Sequence, residues 1–371
     1  MYRFLRPLLF RFDAERAHGL GIRAAHVGQR LPGVVRSLFR SSDPEGRLAQ
    51  TLWARSDRPG LRFANPVGLA AGFDKNATLI PFWAALGFGF AEVGSVTAQP
   101  SKGNPQPRAF RLPADRALIN RMGLNNDGAE AIASRLASLD RPEAFVLGIN
   151  VAKTHSPAIL GEAALVDFQA SVRLLLPYAD YLALNVSCPN TAEGKTFETP
   201  DALDALLTVV MAEHAAQDST VPVLVKLSPP ISMTDFGCTE ELVALSLGHG
   251  VEGFIATNTA ADRSGLQAPP ARLEEIGTGG LSGQPLAARS TALVRHLYRA
   301  TDGRVPIIGV GGVDSAEAAY AKIQAGASLV ELYTALVYAG PGLVRRIQRG
   351  LLRLLDRDGL GALTEAIGLD A

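Results

Sequence analysis

The strongest constraint on the fold is an alternation that repeats eight times, a short apolar β-branched run followed by a segment with helical spacing. The runs lie at Val67–Ala71, Phe90–Val96, Phe145–Val151, Tyr181–Ser187, Val223–Leu227, Gly253–Thr257, Pro306–Val310 and Leu329–Tyr333. Near-continuous apolarity, as in Val305, Ile307, Ile308 and Val310, is the pattern of strands covered on both faces of a parallel sheet. Helical spacing follows at Leu79–Leu86, Gly128–Leu139, Glu162–Leu175, Ala202–His214, Asp235–Leu247, Ala287–Tyr298, Ser315–Ala325 and Gly342–Leu355. Asp314 and Ser315 stand where a cap for the seventh helix is needed. Eight such units predict an α/β chain closed into a (β/α)8 TIM barrel over roughly residues 60–360. A doubly wound open sheet is the competing architecture, and eight parallel repeats favour closure. We therefore read residues 1–42 as an N-terminal helical segment and 43–371 as the barrel domain.

Composition narrows the function. Hydrophobic residues make up 47% of the 371 and charged residues 19%, which excludes a disordered chain. The 36 basic side chains are balanced by 36 acidic ones, so binding nucleic acid through overall charge loses support. Two cysteines, Cys188 and Cys238, make neither a disulfide framework nor a four-thiolate metal site. No metal is expected, a reducing compartment is the natural setting, and a monomer is the expected state.

The neutral total hides an asymmetry. Residues 1–40 carry eight arginines against two acids, Asp13 and Glu15. Leu5, Leu8, Leu9 and Phe12 recur at helical spacing, as do Ala17, Leu20, Ala24 and Val27, before Pro32 and Gly33 break the pattern. Such a basic amphipathic segment can lie in a bilayer interface with its arginines at the head groups. It can equally be a helical hairpin packed on its own domain. No apolar stretch is long enough to span a membrane. A secretory signal is not clear; the arginine content allows a mitochondrial presequence, against which the two acids count mildly.

In a barrel, chemistry belongs to the loops at the C-terminal ends of the strands. Unusual polar residues gather there. The first strand runs into Ala71, Gly72, Phe73, Asp74, Lys75 and Asn76, and the second ends in Ser95 and Thr97. An insertion then carries Arg108, Phe110, Arg111 and the stretch Asn120, Arg121, Met122, Gly123, Leu124. Asn150, Asn185, Lys226 and Asn258 close strands three to six. Amides at these positions are too polar for packing and need partners, which a planar heterocycle with alternating donors and acceptors supplies. Gly279–Gly283 and Gly309–Gly312 suggest a phosphate site, because glycines let backbone N–H groups approach an anion. A glycine pair alone is what any turn requires; its place after strand seven strengthens the phosphate reading.

Together, Ala70–Lys75, Asn120–Asn126, Asn185–Asn190, Ala256–Thr259, Gly279–Gly283 and Pro306–Gly312 resemble the dihydroorotate dehydrogenases over nearly the whole chain. The stretch from Phe12 to His18 resembles their membrane-associated, quinone-linked class. The resemblance implies FMN held by Ala71, Gly72, Ser95, Asn150, Asn185, Lys226, Thr257, Gly283, Gly312, Tyr333 and Thr334. It implies dihydroorotate held by Lys75, Asn120, Arg121, Met122, Gly123, Leu124, Asn185, Asn190, Asn258 and Thr259, with orotate as product. Cys188 stands at the position of the base that removes the C5 proton, where quinone-linked members carry serine and soluble members cysteine. Thr191–Phe197 also departs from the quinone-linked pattern. His18 and Arg111 match a tunnel that admits a quinone from the membrane, at the cytoplasmic face of the inner membrane. Two alternatives remain at this point: a related flavoenzyme with a soluble acceptor, and a non-catalytic barrel binding a phosphorylated ligand. Cys238 has no such neighbours and reads as structural.

Overall fold

The computed structural model describes residues 2–39, 41–187 and 197–371. Eight parallel strands close into a barrel: β1 (Val67–Leu69), β2 (Phe90–Val96), β3 (Val146–Val151), β4 (Tyr181–Asn185), β5 (Val223–Leu227), β6 (Gly253–Ala256), β7 (Ile307–Val310) and β8 (Leu329–Leu332). Each pairs with the next in sequence, and β8 pairs with β1. All eight expected strands are present, so closure wins over the open sheet. Helices follow at the expected places, for instance Glu162–Leu175 and Ala287–Ala300, and the Ser315 hydroxyl accepts from Ala318 N at 3.1 Å to cap Ala316–Gln324.

Strand period divides the core in two. Outward-facing side chains such as Leu147, Leu182 and Val225 pack under the helices, while inward-facing ones fill the barrel. At the N-terminal end the filling is aromatic. Phe63, from the antiparallel pair Gln50–Leu52 and Leu61–Phe63, meets Phe90 edge-on at 5.4 Å, and Trp53 lies 5.9 Å from both Phe63 and Tyr181. These rings floor the barrel. A three-stranded antiparallel sheet, Ala109–Leu112, Ala117–Asn120 and Gly280–Gly283, stands over the opposite mouth. Gly280–Gly283, read from sequence as part of a phosphate loop, is thus a strand, and Ser282 and Gly283 at its end reach the cavity described below.

Three helices precede the barrel: α1 (Tyr2–Leu9), α2 (Ala14–Gly28) and α3 (Pro32–Phe39). The Asp13 carboxylate caps α2, accepting from Glu15 N at 2.9 Å and Arg16 N at 3.1 Å. Pro32 opens a third helix, a position where proline's fixed φ is an advantage, so the segment is more than a hairpin. One side of it is tied to the barrel domain. Tyr2 OH donates to Val337 O at 2.6 Å, and Arg108 pairs with Glu15 at 2.7 Å. The other side leaves Phe4, Leu5, Leu8, Val27, Leu31, Val34 and Leu38 more than half exposed. Among the described residues, no helix is long and apolar enough to cross a membrane.

Candidate active site

Above the aromatic floor the inward positions turn from apolar to charged. Phe90 gives way to Glu92 on β2, Leu224 to Lys226 on β5, and Leu329 to Glu331 on β8. Lys226 Nζ donates to Glu92 Oε1 at 2.8 Å and lies 3.8 Å from Glu331 Oε2, with all three side chains buried. Asn150 Nδ2 donates to the same Glu92 oxygen at 3.0 Å and Tyr181 OH to the other at 3.4 Å. Burial alone would discharge Lys226, but the two carboxylates together hold its pKa above the ordinary lysine value. Burial and the neighbouring Glu92 push Glu331 well above the carboxylate range. The layer thus holds the Lys226–Glu92 ion pair beside a second carboxyl whose ionisation burial disfavours.

A chain of amides and hydroxyls climbs from this layer. Ser95 Oγ donates to Asn150 Oδ1, and Asn185 Nδ2 donates to Ser95 Oγ at 3.0 Å. Asn258 Nδ2 donates to Asn185 Oδ1 at 3.0 Å and to Ser187 Oγ at 3.1 Å, while Ser187 Oγ donates to Lys226 O at 3.1 Å. Each side chain fixes the next, so the amides present a rigid set of donors and acceptors.

These groups open into a cavity whose wall carries Ser95, Asn185, Lys226, Thr257, Asn258 and Glu331. Its far end is backbone. Gly312, at φ +72°, lies so close to the helix Ala287–Ala300 that a Cβ there would stand 2.5 Å from Ala287 Cβ. Gly283, at φ +106°, would place one 2.5 Å from Arg116 O. Only glycine satisfies both the conformation and the approach. Lys75 stands at the opposite side, its Nζ donating to Gly72 O at 2.9 Å. Burial, aided by Arg108, draws the Lys75 pKa down to about 8, so the ammonium is short of a partner.

A second cavity of about 430 Å³ runs between α1, α2 and the barrel mouth, lined mainly by apolar side chains such as Leu9, Phe73, Trp83 and Leu336. The two cavities share Lys75, Asn120, Met122 and Tyr333. His18 packs edge-on against Phe73 at 5.0 Å, and burial lowers its pKa to about 4, which keeps the ring neutral in the apolar wall. The Arg111 guanidinium donates to Leu9 O at 3.2 Å and to Phe12 O, and lies 4.5 Å from the Phe10 ring. It caps the end of α1 and binds that helix to the insertion.

Comparison with known proteins agrees with this geometry. The family model described as dihydroorotate dehydrogenase matches residues 54–355. The chain belongs to the dihydroorotate dehydrogenase family. It is 48% identical over 378 residues to a dihydroorotate dehydrogenase (quinone) of Deinococcus deserti, covering 100% of both chains. It is 46% identical to one from Acidithiobacillus ferrooxidans, over 100% of this chain and 99% of that one. Among solved structures, ligand-free DHODH from Eimeria tenella superposes with a TM-score of 0.82 at 35% identity, covering 96% of this chain and 99% of the other.

Dihydroorotate dehydrogenases are FMN-dependent oxidoreductases, and the residues present suit that group. The donor set is right for a planar ring with an imide edge, namely a lysine, amides and hydroxyls, and the glycine end offers backbone N–H groups where a phosphate needs them. Of the residues that sequence assigned to FMN, Ala71, Gly72, Ser95, Asn185, Lys226, Thr257, Gly283, Gly312, Tyr333 and Thr334 line the polar cavity. Asn150 is wholly buried beneath Ser95 rather than on the wall. Lys75, Asn120, Met122, Gly123, Leu124, Asn258 and Thr259 share the cavity. Arg121 does not: its guanidinium donates to Ile276 O, Thr278 O and Pro107 O and lies over the Phe110 ring, tying the insertion together. Cys188 and Asn190 lie outside the described residues. Cys238, read as structural, is exposed at the start of the helix Thr239–Gly248.

Sequence reading missed Glu92, Glu331, Tyr181 and Ser187. The signal was available for the first two. Each is a lone acid inside an apolar strand run, the same anomaly that singled out Lys226.

Proposed function

We propose that this chain oxidises dihydroorotate to orotate at bound FMN and passes the electrons to a quinone. The observation that carries the reading is the pair of adjoining cavities, one polar and one apolar, sharing a wall at Lys75, Asn120, Met122 and Tyr333. Bound FMN supplies the hydride acceptor that joins the two half-reactions.

The chain's own residues do the rest. Lys75, a partly buried cation whose Nζ donates to Gly72 O, receives the substrate carboxylate. Asn120, Asn185, Asn258 and Thr259 read the ring's imide and carbonyl groups, with the network below holding Asn185 and Asn258 in one orientation. Cys188, directly after Ser187, takes the C5 proton; a thiol, starting near pKa of about 8.5, needs less help than a hydroxyl. Lys226 sets a compensated positive charge at the cavity floor, ready for negative charge that develops above it. The quinone enters through the apolar cavity, with His18 and Phe73 on its wall. Leu5, Leu8, Leu31 and Leu38 on the outer side of α1–α3, together with the arginines, rest in the interface at the cytoplasmic face of the membrane.

Anaerobic half-reactions test this reading. Dihydroorotate should bleach the yellow protein and a quinone should restore its colour. Recolouring only by a soluble oxidant would assign the alternative acceptor, and a colourless protein without flavin affinity would overturn the reading. Removal of residues 1–40 should abolish most quinone reoxidation while flavin reduction by substrate persists. Equal loss of both would show the helices to be scaffold only.

The depressed Lys75 pKa sets a pH dependence for product binding. Below about 8 the ammonium is present and orotate affinity is level. As pH rises further the free site loses the charge and affinity should fall by about tenfold per unit. Lys75→Met should bind orotate weakly with no such dependence, as read by isothermal titration.

A further inference from the structure

Outside the groups already given roles, one charged side chain is buried where the fold does not require it. Lys322, on the helix Ala316–Gln324, is 1% exposed. Its Nζ reaches Ser290 Oγ at 2.8 Å, Thr291 Oγ1 at 3.0 Å and Ala287 O at 3.5 Å, all within the first five residues of the helix Ala287–Ala300. No carboxylate among the described residues pairs with it. A cation under the first turn of a helix stands at the positive end of the backbone dipole, which disfavours it.

The contacts do not explain the lysine as a strut. Ser290 Oγ already donates its proton to Val310 O at 2.6 Å, and Thr291 Oγ1 donates to Ala287 O at 2.8 Å. Neither hydroxyl would be left unsatisfied by an apolar side chain in place of Lys322. Burial without compensation draws the Lys322 pKa to about 7, so the site carries an unbalanced, labile charge.

What the lysine does face is the glycine end of the cavity. Ser290 stands between Lys322 and the Val310–Gly312 backbone. A Cβ on Gly311 would lie 3.2 Å from Ser290 Cβ, and Gly312 is in contact with Ala287, whose carbonyl Lys322 also approaches. Gly311, Gly312 and Leu286 all line the cavity. The ammonium therefore sits one hydroxyl behind the amides that would meet an anion.

We propose that Lys322 is a positioning residue for the phosphate group of the cofactor, supplying from behind the glycine loop the positive charge that balances a buried phosphate. The assignment rests on the FMN reading above. It accounts for both anomalies at once, since an anion in front of the first turn offsets the helix dipole and gives the lysine its missing counter-charge.

FMN and riboflavin, which differ only in the phosphate, separate this role from a structural one. The full chain, freed of flavin, is titrated with each by fluorescence quenching, alongside Lys322→Met and Lys322→Gln. Both variants should lose about tenfold in FMN affinity, the scale of one nearby charge, while riboflavin affinity holds. Thermal melting of the flavin-free variants should match the unsubstituted chain. Unchanged FMN affinity, or equal loss for both flavins, overturns the assignment. If Lys322→Met does not fold, Lys322→Gln, which keeps a hydrogen-bond donor but no charge, decides by the same ratio. An unsubstituted chain that binds neither flavin would instead overturn the proposed function.

Discussion

Cys188→Ala is expected to slow flavin reduction by dihydroorotate by on the order of a thousandfold, the usual scale for losing a positioned general base. FMN content should be unchanged, because none of the groups assigned to the cofactor is altered. Stopped-flow absorbance under anaerobic conditions reads the rate directly. Cys188→Ser should keep part of the activity with its pH profile displaced upward, since a hydroxyl gives up its proton less readily than a thiol. An alanine variant that reduces flavin at the parent rate would remove Cys188 from the mechanism. The two substitutions together also bear on why a quinone-linked sequence carries the residue usual in soluble members.

The second large effect concerns stability. Lys226→Met should cost about 3–5 kcal/mol, because it strands the Glu92 carboxylate in the barrel with only Asn150 and Tyr181 as donors. Urea denaturation measures this. The double variant Lys226→Met/Glu92→Leu should recover most of the loss while remaining inactive, since removing both charges leaves no uncompensated ion. If the single and double variants are equally unstable, the charged layer is not the source of the cost.

How much was legible in the sequence followed from how local the signal is. Buried parallel strands read as continuous apolar runs, so all eight barrel strands and their helices were visible without knowledge of their partners. The strand Gly280–Gly283 was not. Glycine and serine have little strand preference, and this segment becomes a strand only through pairing with Ala117–Asn120, about 160 positions away. Arg121 sits between two residues that line the cavity, Asn120 and Met122, and only its contacts with Ile276 O and Thr278 O, far off in sequence, show that its side chain leaves the other way. Glu92 and Glu331 were legible in principle as isolated acids in apolar strands. Their pairing with Lys226 was not, because it depends on strands two, five and eight meeting across the barrel axis.

The apolar chamber has walls of two origins, the opening forty residues of the chain on one side and the barrel mouth on the other, whereas the polar chamber is built from strand ends and the loops beyond them. On the proposed function, the helices that wall the apolar chamber would set where the electrons are delivered, while Lys75, Asn120 and Met122, which line both chambers, join that outlet to the pyrimidine site. A change confined to those helices would then alter the outlet of the reaction while its inlet stays as it was.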